Sequence, residues 1–246
     1  MIDIIEIFKR SAQGATQPYI CRGSDGNTYF VKGKNAGARS LICEWIAGCL
    51  AKNLQLPIAP FSIVNVSEHL ITSEEYRALG TGLVFGSQKK AGIEEPRNLL
   101  PTFYNDIPIA LQQDIFVFDW WIRNMDRTLS EYGGNANLLL EEQNNQKHIF
   151  IIDHNLAFDS DFCVHDFMAT HIFREQGRHI FADKQKQIIY KQRFNDALQD
   201  WENICSMIPH EWWFIDEEQT LNVDFDKTLA YQQLLAYQYD TFWDVI

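Results

Sequence analysis

The sequence predicts an α+β fold, with a strand-rich N-terminal lobe followed by a mainly helical C-terminal lobe. Three observations carry this expectation. Up to about residue 90, short apolar runs alternate with Gly, Asp, Asn and Pro turn signals and are interrupted by one helical pattern. From about residue 107, longer runs at helical spacing take over. The chain has 246 residues, 46% of them hydrophobic, which suits one large domain or two intimate lobes around a real core. The boundary is expected near residues 90–105, dividing the chain into 1–95 and 96–246.

In order, "QPYICRG", "SDGN" and "TYFVKGK" read as two strands around a turn, with Asp25, Gly26 and Asn27 supplying the turn chemistry. In the second strand, Tyr29 and Val31 share one face and Phe30 and Lys32 the other. Ser40 is a candidate cap for a helix in which Leu41, Ile42, Trp45, Ile46, Cys49 and Leu50 recur at helical spacing. The two prolines of "LQLPIAP" stop it. "PFSIVNV", "HLITS" and "GTGLVFGSQ" read as short strands, and a loop with Pro96 and Pro101 follows. "IPIALQQDIFVFDWWIRN" has the length and periodicity of a largely buried helix. "ANLLLEE" and "HIFIIDHNLAF", joined by a turn at Asn144-Asn145, read as a β-hairpin. "KQKQIIYKQRFNDALQDWENICSMI" and "LAYQQLLAYQYDTFWDVI" read as amphipathic helices.

Composition narrows the function classes. The net charge is −12 and the pI about 5.0, which disfavours a non-specific nucleic-acid binder and stable docking on an anionic membrane. Five cysteines without CxxC spacing read as reduced thiols of a cytoplasmic protein. "MIDIIEIFKR" lacks the marks of a signal peptide, and no apolar run approaches the roughly 18 residues of a membrane span. Cys163, His165 and His171 lie close together, but their spacing matches no familiar zinc pattern. The tryptophans at 212, 213 and 243 are expected in the core.

The candidate chemistry is phosphoryl transfer, which needs positioned phosphates, oxygen ligands for a divalent metal, and a carboxylate to orient a hydroxyl. Lys32 is the candidate phosphate contact, with Lys34 as its rival. Glu44, the one acidic residue between Ser40 and Leu50, is a candidate partner for Lys32 or else an exposed helix carboxylate. In "SAQGATQP", Gly14, Ala15 and Thr16 could turn tightly and direct N–H groups at phosphates. Asp126 opens a loop after the buried helix, Asn137 begins a strand, and Asp153 ends one. That order of carboxylate, amide and carboxylate is the order protein kinases use. Each residue alone is also an ordinary turn or strand-end feature.

"NMDR", "NANLLL" and "IFIIDHNLAF", together with "PYICRGSDGNTYFVKGKN" and "ICEWIAGCLAKNLQLPIAP", resemble segments of HipA-like kinases over roughly residues 11–160. The resemblance implies a bilobal protein-kinase-like fold and an ATP- and Mg²⁺-dependent phosphotransferase acting on a protein Ser or Thr hydroxyl. It implies Asp126 as the catalytic carboxylate and Asn137 and Asp153 as metal ligands. Lys32 would bind ATP phosphates with Glu44 as its ion-pair partner, and Arg127 would orient the catalytic loop. "LVFGSQ", with Phe85, would connect the lobes and read adenine with its backbone. A toxin–antitoxin setting with an antitoxin-like protein partner is also implied. The kinase template places its asparagine five residues after the aspartate, whereas Asn137 follows Asp126 by eleven, so Asn135 is an alternative ligand. No GxGxxG loop is present, and the chain is shorter than full-length HipA toxins. A kinase-like module that binds nucleotide or protein without turnover, and a small-molecule kinase, are the alternatives.

Overall fold

The structure is a computed structural model that describes residues 1–11, 16–90, 93–94, 107–129, 134–143 and 146–245. Its N-terminal part is a closed five-stranded barrel in the order β1-β2-β3-β5-β4. The strands are β1 (Ile2–Arg10), β2 (Tyr19–Gly23), β3 (Thr28–Lys32), β4 (Phe61–Val66) and β5 (Gly82–Gln88). Parallel pairing of β1 with β4 closes it. The β2–β3 turn is built as expected: the Asp25 carboxylate accepts from the Asn27 N–H and from the Tyr29 hydroxyl, while Gly26 takes φ +82°. Alternation along β3 sends Tyr29 and Val31 into the barrel core with Ile4, Tyr19, Cys21 and Val64. Phe30 and Lys32 face the opposite side.

Between β3 and β4 runs α1 (Ala38–Asn53). Every residue from Ser40 to Ala51 is buried, so this helix is enclosed rather than one-sided. Its N-cap is Gly37 at φ +81°, not Ser40, which lies one turn inside with its hydroxyl buried and unpartnered. The expected strand "HLITS" is instead a 3-10 turn followed by the short α2 (Glu74–Arg77). Local bonding of Ser67 Oγ to His69 Nδ1 at 2.7 Å replaces a ladder.

Helix α3 (Ile109–Trp121) is buried through most of its length, and its apolar run specifies that directly. A second sheet follows, ordered β6-β7-β8, from β6 (Ile93–Glu94), β7 (Leu138–Gln143) and β8 (Gln146–Ile151). The expected Asn144-Asn145 turn and the Pro96–Pro101 loop lie outside the described residues. The two sheets meet where Ile58 bridges Ile151 and the Ile151 N–H reaches the Pro57 carbonyl at 2.7 Å.

The rest is helical: α4 (Val164–Thr170), α5 (Arg174–Gly177), α6 (His179–Ala182), α7 (Lys184–Leu198), α8 (Trp201–Ser206) and α9 (Lys227–Leu234). Asp183 and Asp226 cap α7 and α9 by accepting two backbone N–H groups each. The single helix expected from 184 to 208 breaks at Gln199-Asp200, which turns Trp201 into the core. Trp121 stacks on Phe194 at 4.1 Å, and Trp212 and Trp243 are buried as expected. One apolar core runs through α1, α3 and the later helices. Trp45 Nε1 donates to the Ile204 carbonyl at 3.0 Å and Arg193 Nη2 to that of Leu54 at 3.1 Å, so α1 is pinned to the helical part. No helix among the described residues is long and apolar enough to cross a membrane.

Candidate active site

Lys32 ends β3 and reaches across to α1 and the end of β8. Its Nζ donates to Glu44 Oε1 and, at 2.6 Å, to Asp153 Oδ1. Lys32 and Glu44 are buried, while the Asp153 side chain stays 23% exposed. Burial works against the ammonium, but the two carboxylates outweigh it and hold the lysine pKa above its ordinary value. Burial likewise pushes Asp153 up, and the Lys32 charge reverses this, leaving it below the usual carboxylate range. Glu44 uses its second oxygen to accept the His154 N–H at 3.1 Å. Lys34 takes no part, because it pairs with exposed Glu217.

Asp126 lies in the loop after α3. Its Oδ2 accepts from Asn135 Nδ2 at 2.9 Å and Asn137 Nδ2 at 2.8 Å, while Oδ1 has no partner among the described residues. An ionised carboxylate only accepts, so both amides turn their nitrogens toward it and their carbonyl oxygens away. Burial, more than the nearby Asp153 charge, raises the Asp126 pKa. Asn137 is buried and Asn135 exposed. The main-chain oxygen of Asn137 accepts from the Ile152 N–H at 3.1 Å and from Arg127 Nη1, which fixes it one residue from Asp153 across the hairpin. Asn137 and Asp153 both adopt left-handed backbone, at φ +46° and +59°.

Arg127 is fully buried and does not open to the cavity described below. Its Nε donates to Asp119 Oδ2 at 2.6 Å, and its Nη2 lies 3.0 Å from His154 Nε2. Asp119 on α3 also accepts from Asn124 Nδ2 at 2.8 Å and faces His171 Nε2 at 3.0 Å. His171 Nδ1 accepts the Phe173 N–H at 3.1 Å. Both ring nitrogens of His171 are therefore occupied, which removes it as a metal ligand beside Cys163. No group of three or more His, Cys, Asp or Glu among the described residues could hold a metal ion.

A cavity of about 440 Å³ opens between the barrel and the second sheet. Lys32, Glu44, Asp153 and His154 line one end, and Phe30, Ile58, Ala59, Phe61, Phe85 and Ile151 form apolar walls. Phe61 stacks on Phe85 at 5.6 Å. The volume and the few convergent polar groups suit a small-molecule site. Ser11, Thr16 and Pro18 line it from the β1–β2 hairpin loop, whose ends are tied by Ser11 N–H to the Pro18 carbonyl at 2.8 Å. Gly14 and Ala15 lie outside the described residues. The expectation that "LVFGSQ" offers free backbone to a ligand is corrected. β5 pairs with β3 on one edge and β4 on the other, so its main chain is spent in ladders. Phe85 contributes its ring instead, and Lys89 and Lys90 are the next residues at the cavity.

Asp153 and Asn137 offer hard oxygen donors of the kind Mg²⁺ takes alongside substrate phosphates, so the donor set fits that ion. Residue types alone did not point to Asp119, Asn124 and His171, because no motif joins positions that far apart. The one signal was a lone Asp in the apolar run "IFVFDWW", which burial without a partner would penalise.

The fold class is that of kinase-like α+β proteins. The family model described as HipA-like kinase matches residues 4–246, so the chain belongs to the HipA-like kinase family. No curated protein matches it. Among solved structures it is similar to the crystal structure of a Helicobacter pylori proinflammatory kinase, CtkA, with 13% identity and a TM-score of 0.52. That alignment covers 100% of this chain and 96% of the other, and at such identity it bears on the fold alone.

Proposed function

We propose that this protein is an ATP- and Mg²⁺-dependent phosphotransferase with two lobes, residues 1–95 and 96–246. The observation that carries the reading is the Lys32 ammonium held between Glu44 and Asp153 at the polar end of an apolar cavity. ATP would place its base among Phe30, Phe61, Phe85 and Ile151 and its phosphates toward Lys32 and the β1–β2 loop. Asp153 and Asn137 would hold Mg²⁺, which when bound would supply positive charge to offset that of the phosphates. Asp126, with Oδ1 open and Oδ2 clamped by two amides, would orient the acceptor hydroxyl and take its proton. The acceptor oxygen forms a bond to the γ-phosphorus as the bond to the β–γ bridging oxygen breaks, and ADP leaves. By family analogy the acceptor is a protein Ser or Thr. A cytoplasmic location and an antitoxin-like partner rest on the same analogy.

A second reading is a nucleotide-binding module without turnover, and the eleven-residue separation of Asp126 and Asn137 favours it. Purified protein is incubated with γ-labelled ATP, Mg²⁺ and generic protein acceptors, and ATP-dependent thermal stabilisation is followed in parallel. The kinase reading expects transfer that drops by about 10²- to 10⁴-fold in Asp126→Ala, with stabilisation by ATP retained. Stabilisation without transfer supports the binding module. Unchanged turnover by Asp126→Ala would sink the role given to that residue.

A further inference from the structure

We infer that His154 is a positioning residue that joins the catalytic loop to the Lys32–Glu44 pair. The inference rests on the reading of Asp126 given above.

The residue is used twice, by different atoms. Its main-chain N–H donates to Glu44 Oε2 at 3.1 Å, and its ring nitrogen Nε2 lies 3.0 Å from Arg127 Nη2. A guanidinium has no acceptor, so Nε2 must be the acceptor and the ring proton must sit on Nδ1. The ring is 1% exposed, and Phe118 packs on it edge-to-face at 5.7 Å, which fixes its plane. Arg127 neighbours Asp126 in the chain and also holds the Asn137 carbonyl. A continuous buried chain of hydrogen bonds therefore runs from His171 through Asp119, Arg127, His154 and Glu44 to Lys32. His154 is the one member that belongs to both halves. Other groups facing the ring are Asp119 and Asp153, which favour a charged imidazole, and Lys32, which opposes it with Arg127.

Side-chain replacement cuts only one of the two links, because the bond to Glu44 is made by the main chain. His154→Leu removes the acceptor for Arg127 while leaving the main-chain bond to Glu44 in place. The expected result is a fall in kcat of about ten- to a hundredfold, the equivalent of one hydrogen bond to a charged group. KM for ATP should stay within about twofold. His154→Gln, whose amide oxygen can accept from Arg127, should restore most of kcat. A purely structural residue would instead lower thermal stability in both variants and leave kcat per folded molecule unchanged. Equal kcat in the Leu and Gln variants overturns the inference.

A second measurement does not need turnover. With ¹⁵N-labelled histidine, long-range ¹H–¹⁵N spectra of the unmodified protein should show one imidazole locked with its proton on Nδ1, absent in His154→Gln. If that signal is present and transfer is absent, the kinase reading fails while the link stands. If His154 shows the Nε2 proton, the link itself is wrong.

Discussion

Lys32 and Asp153, 121 positions apart in the chain, meet at 2.6 Å, with Glu44 on the other side of the same ammonium. One cation thus compensates a buried carboxylate, Glu44, and a partly exposed one, Asp153. Truncating a buried cation leaves its partners uncompensated, which is the expensive direction for such a pair. Lys32→Met should lower unfolding free energy by about 3–5 kcal/mol in a denaturant titration. Adding Glu44→Gln should recover part of the loss, since one of the stranded charges is removed. A Lys32→Met protein as stable as the parent would show that the triad does not bear on stability.

The two asparagines beside Asp126 separate by burial. Asp126 Oδ2 accepts from both amides, but Asn137 is buried, with its main-chain oxygen held by Arg127 and the Ile152 N–H, whereas Asn135 is exposed. A buried side chain has less freedom left to lose on becoming a ligand than an exposed one. Asn137→Ala should reduce Mg²⁺-dependent transfer by about a hundredfold or more, and Asn135→Ala by about fivefold or less. Steady-state rates over a Mg²⁺ titration check this. The reverse ranking would assign the metal to Asn135.

Much of the site was legible because it lies at element ends. A lysine ending a strand, a lone glutamate in an apolar helix, and an Asp after a hydrophobic run all break local pattern, and Lys32, Glu44 and Asp153 come together in the fold. Alternation in "TYFVK" was enough to separate Tyr29 and Val31 from Phe30 and Lys32. What was not legible depends on tertiary pairing. Nothing local shows that β5 is hydrogen-bonded on both edges, and its sequence by itself reads as a free ligand-contacting segment. "HLITS" has a strand's composition but finds no partner, and local bonds claim it. Likewise Asp119, Arg127 and His171 are spread over 52 positions and meet only in the packed core.

The buried histidines make stability depend on pH. Burial, with Arg127 next, pushes His154 down to about 3, and burial also lowers His171. The unfolded imidazoles titrate near 6.5. Their contribution is therefore complete above about pH 6.5 and is lost as the pH falls from there toward the folded values, at up to about 1.4 kcal/mol per pH unit for each. Asp126, whose folded pKa is raised by burial, has the opposite sign: its contribution is present at low pH and lost as the pH rises through the folded pKa. Asp119 and Asp153, both held low, lose theirs only as the pH falls through the unfolded carboxylate value of about 4. Burial raises Glu44 in the same direction as Asp126, so the histidine share is read from the difference between the parent and His154→Gln in denaturant titrations from about pH 7.5 to about pH 5.5. The parent is expected to lose more free energy than His154→Gln over that range, and equal slopes would mean that the His154 ring is not buried neutral.

The glycines that flank β3 give a sharper test of how the lysine is placed. Gly33 follows Lys32 directly, and a Cβ there would lie 2.0 Å from the Leu79 carbonyl oxygen, a main-chain atom that already accepts the Lys34 N–H at 2.9 Å. The end of β3 and the residues after α2 must separate to admit a methyl group. Overpacking of this kind typically destabilises by about 1–3 kcal/mol. Because Lys32 is adjacent, the displacement also shifts its ammonium relative to Glu44 and Asp153. Gly26, at the other end of the same strand, has φ +82° but open space around its Cβ position. Gly26→Ala should therefore cost about 1 kcal/mol from backbone strain alone. The two substitutions should separate in ATP binding rather than in stability. Gly33→Ala is expected to weaken ATP affinity severalfold in isothermal titration, and Gly26→Ala to leave it unchanged. Equal affinity in both proteins would show that the close approach at Leu79 does not set the lysine's position, and that Glu44 and Asp153 alone do.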